Sequence, residues 1–171
     1  VQLCEKFKPV YLERGDMNAL VDFGQNMAGV LHIRLQGSAG TRVTLHHGEM
    51  LDKDGKLYTE NLRSAMNEDT LILSGGEDDF IPVFTYHGFR YAQISAEAPV
   101  KILFLEARAV HNKLKVTGKF SCSSALINRI FQNVWWSMNS NFVSVPTDCP
   151  QRDERLGWLA DAHLFARTAM Y

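Results

Sequence analysis

The sequence predicts an antiparallel β-sandwich followed by α-helices. Two observations carry this. From Ala19 to about His111, short alternating runs are broken by Gly, Asn and Asp; after Thr117, apolar residues recur at helical spacing. Leu20-Val21-Asp22-Phe23 reads as a short strand stopped by Gly24. Leu31, Ile33 and Leu35 alternate with Val30, His32, Arg34 and Gln36, the period of a half-buried strand. A Gly37-Ser38-Ala39-Gly40 turn leads into a strand from Thr41 to His46, and Asp52-Lys53-Asp54-Gly55 is a polar turn. Asp69 to Leu73 is a strand stopped by Gly75-Gly76. Phe80 to Phe84 is a strand that Pro82 assigns to an edge, because proline cannot donate to a ladder. Phe89 to Ile94 and Phe104 to Val110 complete the series. Short strands with glycine-rich turns and no helical crossovers leave an antiparallel sandwich.

In the helical part, Ser123 or Ser124 suits an N-cap, since a hydroxyl can accept from the first unpaired amides. Leu126, Ile127, Ile130, Phe131, Val134 and Met138 then mark one helix, expected to end before Asn139-Ser140-Asn141. A loop with Pro146 and Pro150 follows. A second helix is expected from about Gly157 to Tyr171, with Trp158, Ala162, Phe165 and Ala169 as a buried stripe. Two helices cannot bury such faces by themselves, so the chain reads as cut off inside a larger helical domain. Its uncovered faces predict self-association of the isolated piece.

Composition excludes several classes. The 171 residues suit one domain, or one domain plus a piece of another, and 46% hydrophobic with 22% charged residues argues for a packed core. A net charge of −1 provides no electrostatic footprint for nucleic acid or an anionic membrane. No apolar run approaches the roughly 20 residues of a membrane span. The opening VQLCEKFKPV lacks a signal-peptide pattern, yet Val1 is not a methionine, so the compartment stays open. Cys4, Cys122 and Cys149 form no metal-ligand spacing with histidine, and His46 and His47 should point to opposite strand faces. No metal and no cofactor is expected.

The stretch from Pro146 to Asp161 differs from the rest. It holds Asp148, Asp153, Glu154 and Asp161, with Arg152, Arg155 and Trp158. One reading is structural: acidic residues at a helix start paired with the arginines. The other is a sugar site, where one carboxyl protonates a leaving oxygen, others grip hydroxyls, and indole packs on the apolar ring face. On one helix, Glu154 and Asp161 would share a face with Trp158, but Gly157 interrupts the way back to Glu154.

Val145-Pro146-Thr147-Asp148-Cys149-Pro150-Gln151-Arg152-Asp153-Glu154-Arg155-Leu156-Gly157-Trp158-Leu159-Ala160-Asp161-Ala162 resembles the signature of bacterial α-L-rhamnosidases, inverting glycoside hydrolases with an (α/α)6-barrel catalytic domain. Gly118 to Ser124 and Leu126 to Ile130 resemble the start of that barrel. Asp22 to Gly29 and Phe84 to Tyr91 resemble the β-sandwich before it. Ala160 stands where the family usually has glycine, and His163 where glutamine is frequent. The resemblance implies a concanavalin-like or jelly-roll-like sandwich over residues 1–116 and the first helices of a truncated barrel over residues 117–171.

It further implies that Glu154 is the general acid. Asp148 and Asp161 hold rhamnose hydroxyls, with Arg152 beside them and Trp158 as packing or platform. Asp153 belongs to the same substrate-binding set and is the rival acid, because adjacent residues point in different directions. The implied activity is removal of terminal α-L-rhamnose from an oligosaccharide, polysaccharide or plant glycoside, with inversion. Inversion needs a second carboxylate about 6.5–9.5 Å from the acid. In the family this base is a glutamate far downstream, which no segment here matches, so the isolated piece should be inactive. The alternative function is a non-catalytic carbohydrate-binding or scaffolding sandwich.

Other candidates are set aside. Glu49 reads as a strand-end carboxylate, and Asp52 to Gly55 lacks the glutamate of a calcium loop. Tyr86, His87, Phe89 and Tyr91 read as core packing, and Trp135-Trp136 as a helix seal with one indole facing away from the other.

Overall fold

The structure, a computed structural model, describes residues 1–170. The chain runs through ten strands, β1 (Gln2–Phe7), β2 (Tyr11–Arg14), β3 (Asn18–Gly37), β4 (Arg42–Gly48), β5 (Met50–Leu51), β6 (Leu57–Tyr58), β7 (Glu68–Ile72), β8 (Glu77–Phe80), β9 (His87–Ala96) and β10 (Val100–His111). Helix α1 (Ala125–Asn141), the short pair β11 (Phe142–Val143) and β12 (Val145–Pro146), and helix α2 (Leu159–Ala169) follow.

Every pairing is antiparallel, and β3 organises them. Its first half pairs with β2 on one side and β9 on the other, and β9 continues to β4 and β7. Its second half pairs with β10 and β8, and β10 continues to β1. The strand bends where its register with β9 shifts, between Asp22 and Met27, and Gly24 sits in that bend at φ 75°. Gly24 therefore bends the strand rather than stopping it, as the sequence had suggested. The bend is tied down from the side, because Arg90 donates to both carboxyl oxygens of Asp22 at 2.8 and 2.7 Å.

Between the layers lie Val21, Phe23, Met27, Leu31, Ile33 and Leu35 of β3, Val43 and Leu45 of β4, Phe89 and Ile94 of β9, and Ala107 of β10. Phe23 and Phe89 meet edge to face at 6.0 Å. The alternation read over residues 30–36 holds for Leu31, Ile33 and Leu35, but Val30 is buried too. It lies on the outer face, covered by Val143, Val110, Ile81 and Tyr86.

Other boundaries also differ from expectation. The strand drawn over Phe80–Phe84 is instead Glu77–Phe80, and Phe84 is fully exposed in the loop after Pro82. Strands β1 and β2 lie before the first expected strand; they carry little alternation and are held by their neighbours β10 and β3. Helix α1 starts at the expected cap, where Ser124 Oγ accepts from the Ile127 amide, but runs on through Asn139, Ser140 and Asn141. Packing explains the extension: Asn139 is buried, and Ser140 Oγ accepts from the Ala28 amide at 3.2 Å. Tertiary contact outweighs the weak helix propensity of the three residues. Trp136 packs on the sandwich beside Phe7 at 5.5 Å, while Trp135 stands perpendicular to it at 89°.

Helix α2 begins two residues later than expected, with Trp158 at its N-cap position. Its stripe is not buried: Trp158 is 45% exposed, and no described residue of α2 is buried. Phe165 meets Phe142 at 6.4 Å, and the expected continuation of the stripe to Tyr171 lies outside the described residues.

Candidate active site

The acidic stretch folds as an irregular loop between β12 and α2, so Glu154 and Asp161 do not share a helix. Asp148, Trp158 and Asp161 line one cavity of about 650 Å³ between α1 and α2, together with Met138 and Phe165. Asp161, in the first turn of α2, is exposed beside it. Asp148 also lines a neighbouring cavity of about 320 Å³, toward Asn26 and Glu49 of the sandwich. Glu49, set aside above, accepts there from Asn26 Nδ2 at 2.8 Å.

Glu154 lies next to Asp148 in this loop, with its side chain half-buried. Carboxyl oxygens of Asp148 and Glu154 and the Cys149 sulfur lie within 4.8 Å of one another. Glu154 Oε2 faces Arg152 Nη2 at 2.7 Å and Arg63 Nη1 at 3.1 Å. Arg152 uses its Nε to donate to the buried Cys149 Sγ at 3.0 Å, and the thiol donates to Asp148 Oδ2 at 3.1 Å. Asp153 points elsewhere and accepts from the Ser64 hydroxyl. The two adjacent carboxyls thus take different partners. The structural reading of the charge cluster accounts for one pair within the loop, Glu154 with Arg152. Arg155 instead donates to the Tyr86 carbonyl at 2.8 Å and lies over the Tyr86 ring.

Burial alone would raise the Asp148 carboxyl, but the Cys149 thiol and nearby amides, including those of Cys149 and Leu156, hold it below the usual carboxylate range. Its Oδ1 is nonetheless buried without a well-formed hydrogen bond among the described residues. The Ser64 hydroxyl is the main cause that holds Asp153 low. Burial, then the bond to Asp148, pushes the Cys149 thiol up, which keeps it a neutral packing element.

The sandwich makes one wall of this site, which the sequence did not reveal. Arg63 and Ser64 follow a single 3₁₀ turn (Glu60–Leu62), and reach loop residues about ninety positions away in the chain. Arg63 has φ 57° and ψ −122°, a conformation that costs a non-glycine residue on the order of 1–3 kcal/mol. No periodicity or motif marks such a contact. Gly88 of β9 lies against Gln151 so closely that an added Cβ would stand 2.9 Å from its Cα and backbone nitrogen.

A second polar cluster lies inside the sandwich. His47 is fully buried on β4, as expected for the inward member of the His46–His47 pair, and stacks on His87 at 4.1 Å with 14° between planes. Asp69 approaches His87 Nε2 at 3.1 Å and His47 Nε2 at 3.9 Å. Ring-nitrogen lone pairs lie in the ring planes, and two stacked planes share no point about 2 Å from both nitrogens, so this arrangement does not form a common metal site.

Comparison with known proteins adds three findings. Residues 12–113 match the family described as bacterial alpha-L-rhamnosidase concanavalin-like domain, and residues 115–171 the bacterial alpha-L-rhamnosidase 6 hairpin glycosidase domain. The chain is 44% identical over 154 residues to an alpha-L-rhamnosidase of Streptomyces avermitilis, covering 89% of this chain and 15% of that protein. It is 38% identical over 177 residues to one of an Alteromonas species, covering 100% and 19%. Among solved structures, alpha-L-rhamnosidase of Dictyoglumus thermophilum superposes with a TM-score of 0.92 at 37% identity, over 99% of this chain and 20% of that one. The Streptomyces avermitilis enzyme complexed with L-rhamnose gives a TM-score of 0.90 at 38% identity, over 99% and 17%. The chain thus spans 15–19% of the length of these curated relatives.

Proposed function

Because the chain belongs to the bacterial alpha-L-rhamnosidase family, we propose that it is the acid-bearing part of an inverting glycosidase that removes terminal α-L-rhamnose from a glycoside. The proposal divides the chain near residue 116 into a sandwich and the first helices of a catalytic (α/α)6 barrel. Glu154 donates its proton to the glycosidic oxygen as the bond to the anomeric carbon breaks. A base outside these 171 residues takes a proton from the water that attacks the opposite face. Asp148 and Asp161 accept from sugar hydroxyls, Arg152 donates to them, and Trp158 offers its indole to an apolar sugar face. Asp153, tied to Ser64, belongs to the substrate-binding wall rather than the proton path.

The observation that carries this reading is the convergence of Asp148, Trp158 and Asp161 on one cavity, with Glu154 beside Asp148. A scaffold or simple binding module has no need of a carboxyl group on Glu154, whereas a general acid does. The test is hydrolysis of an alkyl α-L-rhamnoside, a substrate with a poor leaving group, by the full-length protein and its Glu154→Gln variant. The variant is expected to lose about two to four orders of magnitude in kcat. An unchanged rate overturns the assignment.

A further inference from the structure

We infer that Arg63, contributed by the sandwich, is a positioning residue that fixes which carboxyl oxygen of Glu154 presents the transferable proton. This rests on the reading of Glu154 as the acid and extends it to a residue outside the motif. Both guanidinium groups at Glu154 address the same atom: Arg63 Nη1 and Arg152 Nη2 approach Oε2 at 3.1 and 2.7 Å. A guanidinium only donates, so an oxygen that accepts from Arg63 and is paired with the Arg152 guanidinium is a poor place for a proton. Oε1 accepts no hydrogen bond among the described residues. In the acid form of Glu154 the place for the proton is therefore Oε1, and the two arginines aim that oxygen.

The two arginines are held differently. Arg152 is fastened inside the loop through Cys149. Arg63 is fastened to the other layer of the site: Leu62 before it is buried at 2% exposure, and Ser64 after it holds Asp153. Consecutive residues 62, 63 and 64 thus grip the core, Glu154 and Asp153. Arg63 keeps a positive φ within that grip, so its placement is imposed by its surroundings rather than by its own preference. Without Arg63, Glu154 has one lateral partner and can swing about the Arg152 contact. Proton transfer then loses its alignment, while sugar binding through the cavity residues is kept.

The test compares the full-length wild type with Arg63→Ala and Arg63→Lys, each also in the Glu154→Gln background. An alkyl rhamnoside and an activated nitrophenyl rhamnoside serve as substrates. With the alkyl substrate, Arg63→Ala is expected to lower kcat about 10- to 100-fold, as a small misplacement of a reacting group does. Its KM should stay within about twofold, because a transition-state interaction is lost and not a ground-state one. The nitrophenyl substrate, which needs little protonation, should be affected much less. Arg63→Lys should recover part of the loss, and Arg63→Ala should cost nothing further in the Glu154→Gln background. Equal losses on both substrates, or the same loss with Gln at position 154, would mean a structural role and overturn the inference. If Glu154→Gln itself leaves alkyl hydrolysis intact, the acid reading fails, a result separate from Arg63 having no effect while Glu154→Gln does. Should Arg63→Ala melt early, the substrate dependence and partial rescue in Arg63→Lys decide.

Discussion

Acidification probes the sandwich through His47. Its ring is enclosed by Phe89 at 4.9 Å and the stacked His87, and burial lowers its pKa to about 3. Repulsion from His87 adds to this, while the Asn67 carbonyl and Asp69 oppose it. Nδ1 lies 3.0 Å from the Asn67 carbonyl oxygen, which only accepts, so Nδ1 carries the single proton of a neutral ring. The folded value lies below the unfolded value of about 6.5, so the unfolded chain takes up the extra proton first. Stability from this group is complete above about 6.5 and falls as the pH drops toward about 3. Between about pH 7.5 and about pH 5 the loss is about 2 kcal/mol, since only the unfolded state titrates in that window. Equilibrium urea unfolding, followed through tryptophan fluorescence, measures it. His47→Asn, whose amide can reach the same carbonyl, should be less stable at neutral pH but flatter across this window by that amount. Parallel curves for wild type and variant would refute the reasoning, because they would assign the slope to other groups.

Two further outcomes follow from the contacts of the loop and from the share of the relatives that the chain covers. If Glu154 is the proposed acid, Gly88→Ala should lower kcat about tenfold or more, since its Cβ meets Gln151 backbone atoms at 2.9 Å and must push the loop that carries Glu154 off its wall. Unaltered steady-state kinetics would show that the loop absorbs the displacement. The 171-residue chain alone should not turn over an aryl rhamnoside, because on the proposed reading the base that activates the water on the opposite face lies outside these residues. Turnover comparable to that of the full-length protein would place the base within these residues.

The sandwich was legible wherever one face meets the core and the other meets water, as at Leu31, Ile33 and Leu35. It was illegible where that contrast fails. Val30 is covered on the outer face by residues that arrive fifty or more positions later, Val143 among them, and β1 and β2 owe their form to their partners. The continuation of β3 past Gly24 was hidden because a glycine at positive φ can either end a strand or bend it, and only the neighbouring strand decides. At the site, residue types and spacing marked a charged cluster between Asp148 and Asp161, and the resemblance to the rhamnosidase signature singled out Asp148, Arg152, Asp153, Glu154, Trp158 and Asp161 within it. Arg63, Ser64 and Gly88 were invisible, because their part in the site is created by the docking of two segments far apart in the chain.

The central place of β3 between β9 and β10 governs how the chain can assemble. Neither half of β3 completes its pairing with strands close in the chain. The first half of β3 needs residues 91–95 and the second half needs residues 100–109, so closing either one brings together segments separated by more than sixty positions. Such closures lose chain entropy before apolar contacts compensate, which places the sandwich among slow, non-local folders. A half-built sandwich would leave one end of β3 with its ladder groups unpaired. The strands on either side of β3, and the Glu154 loop that leans on them, therefore depend on the same long-range closures.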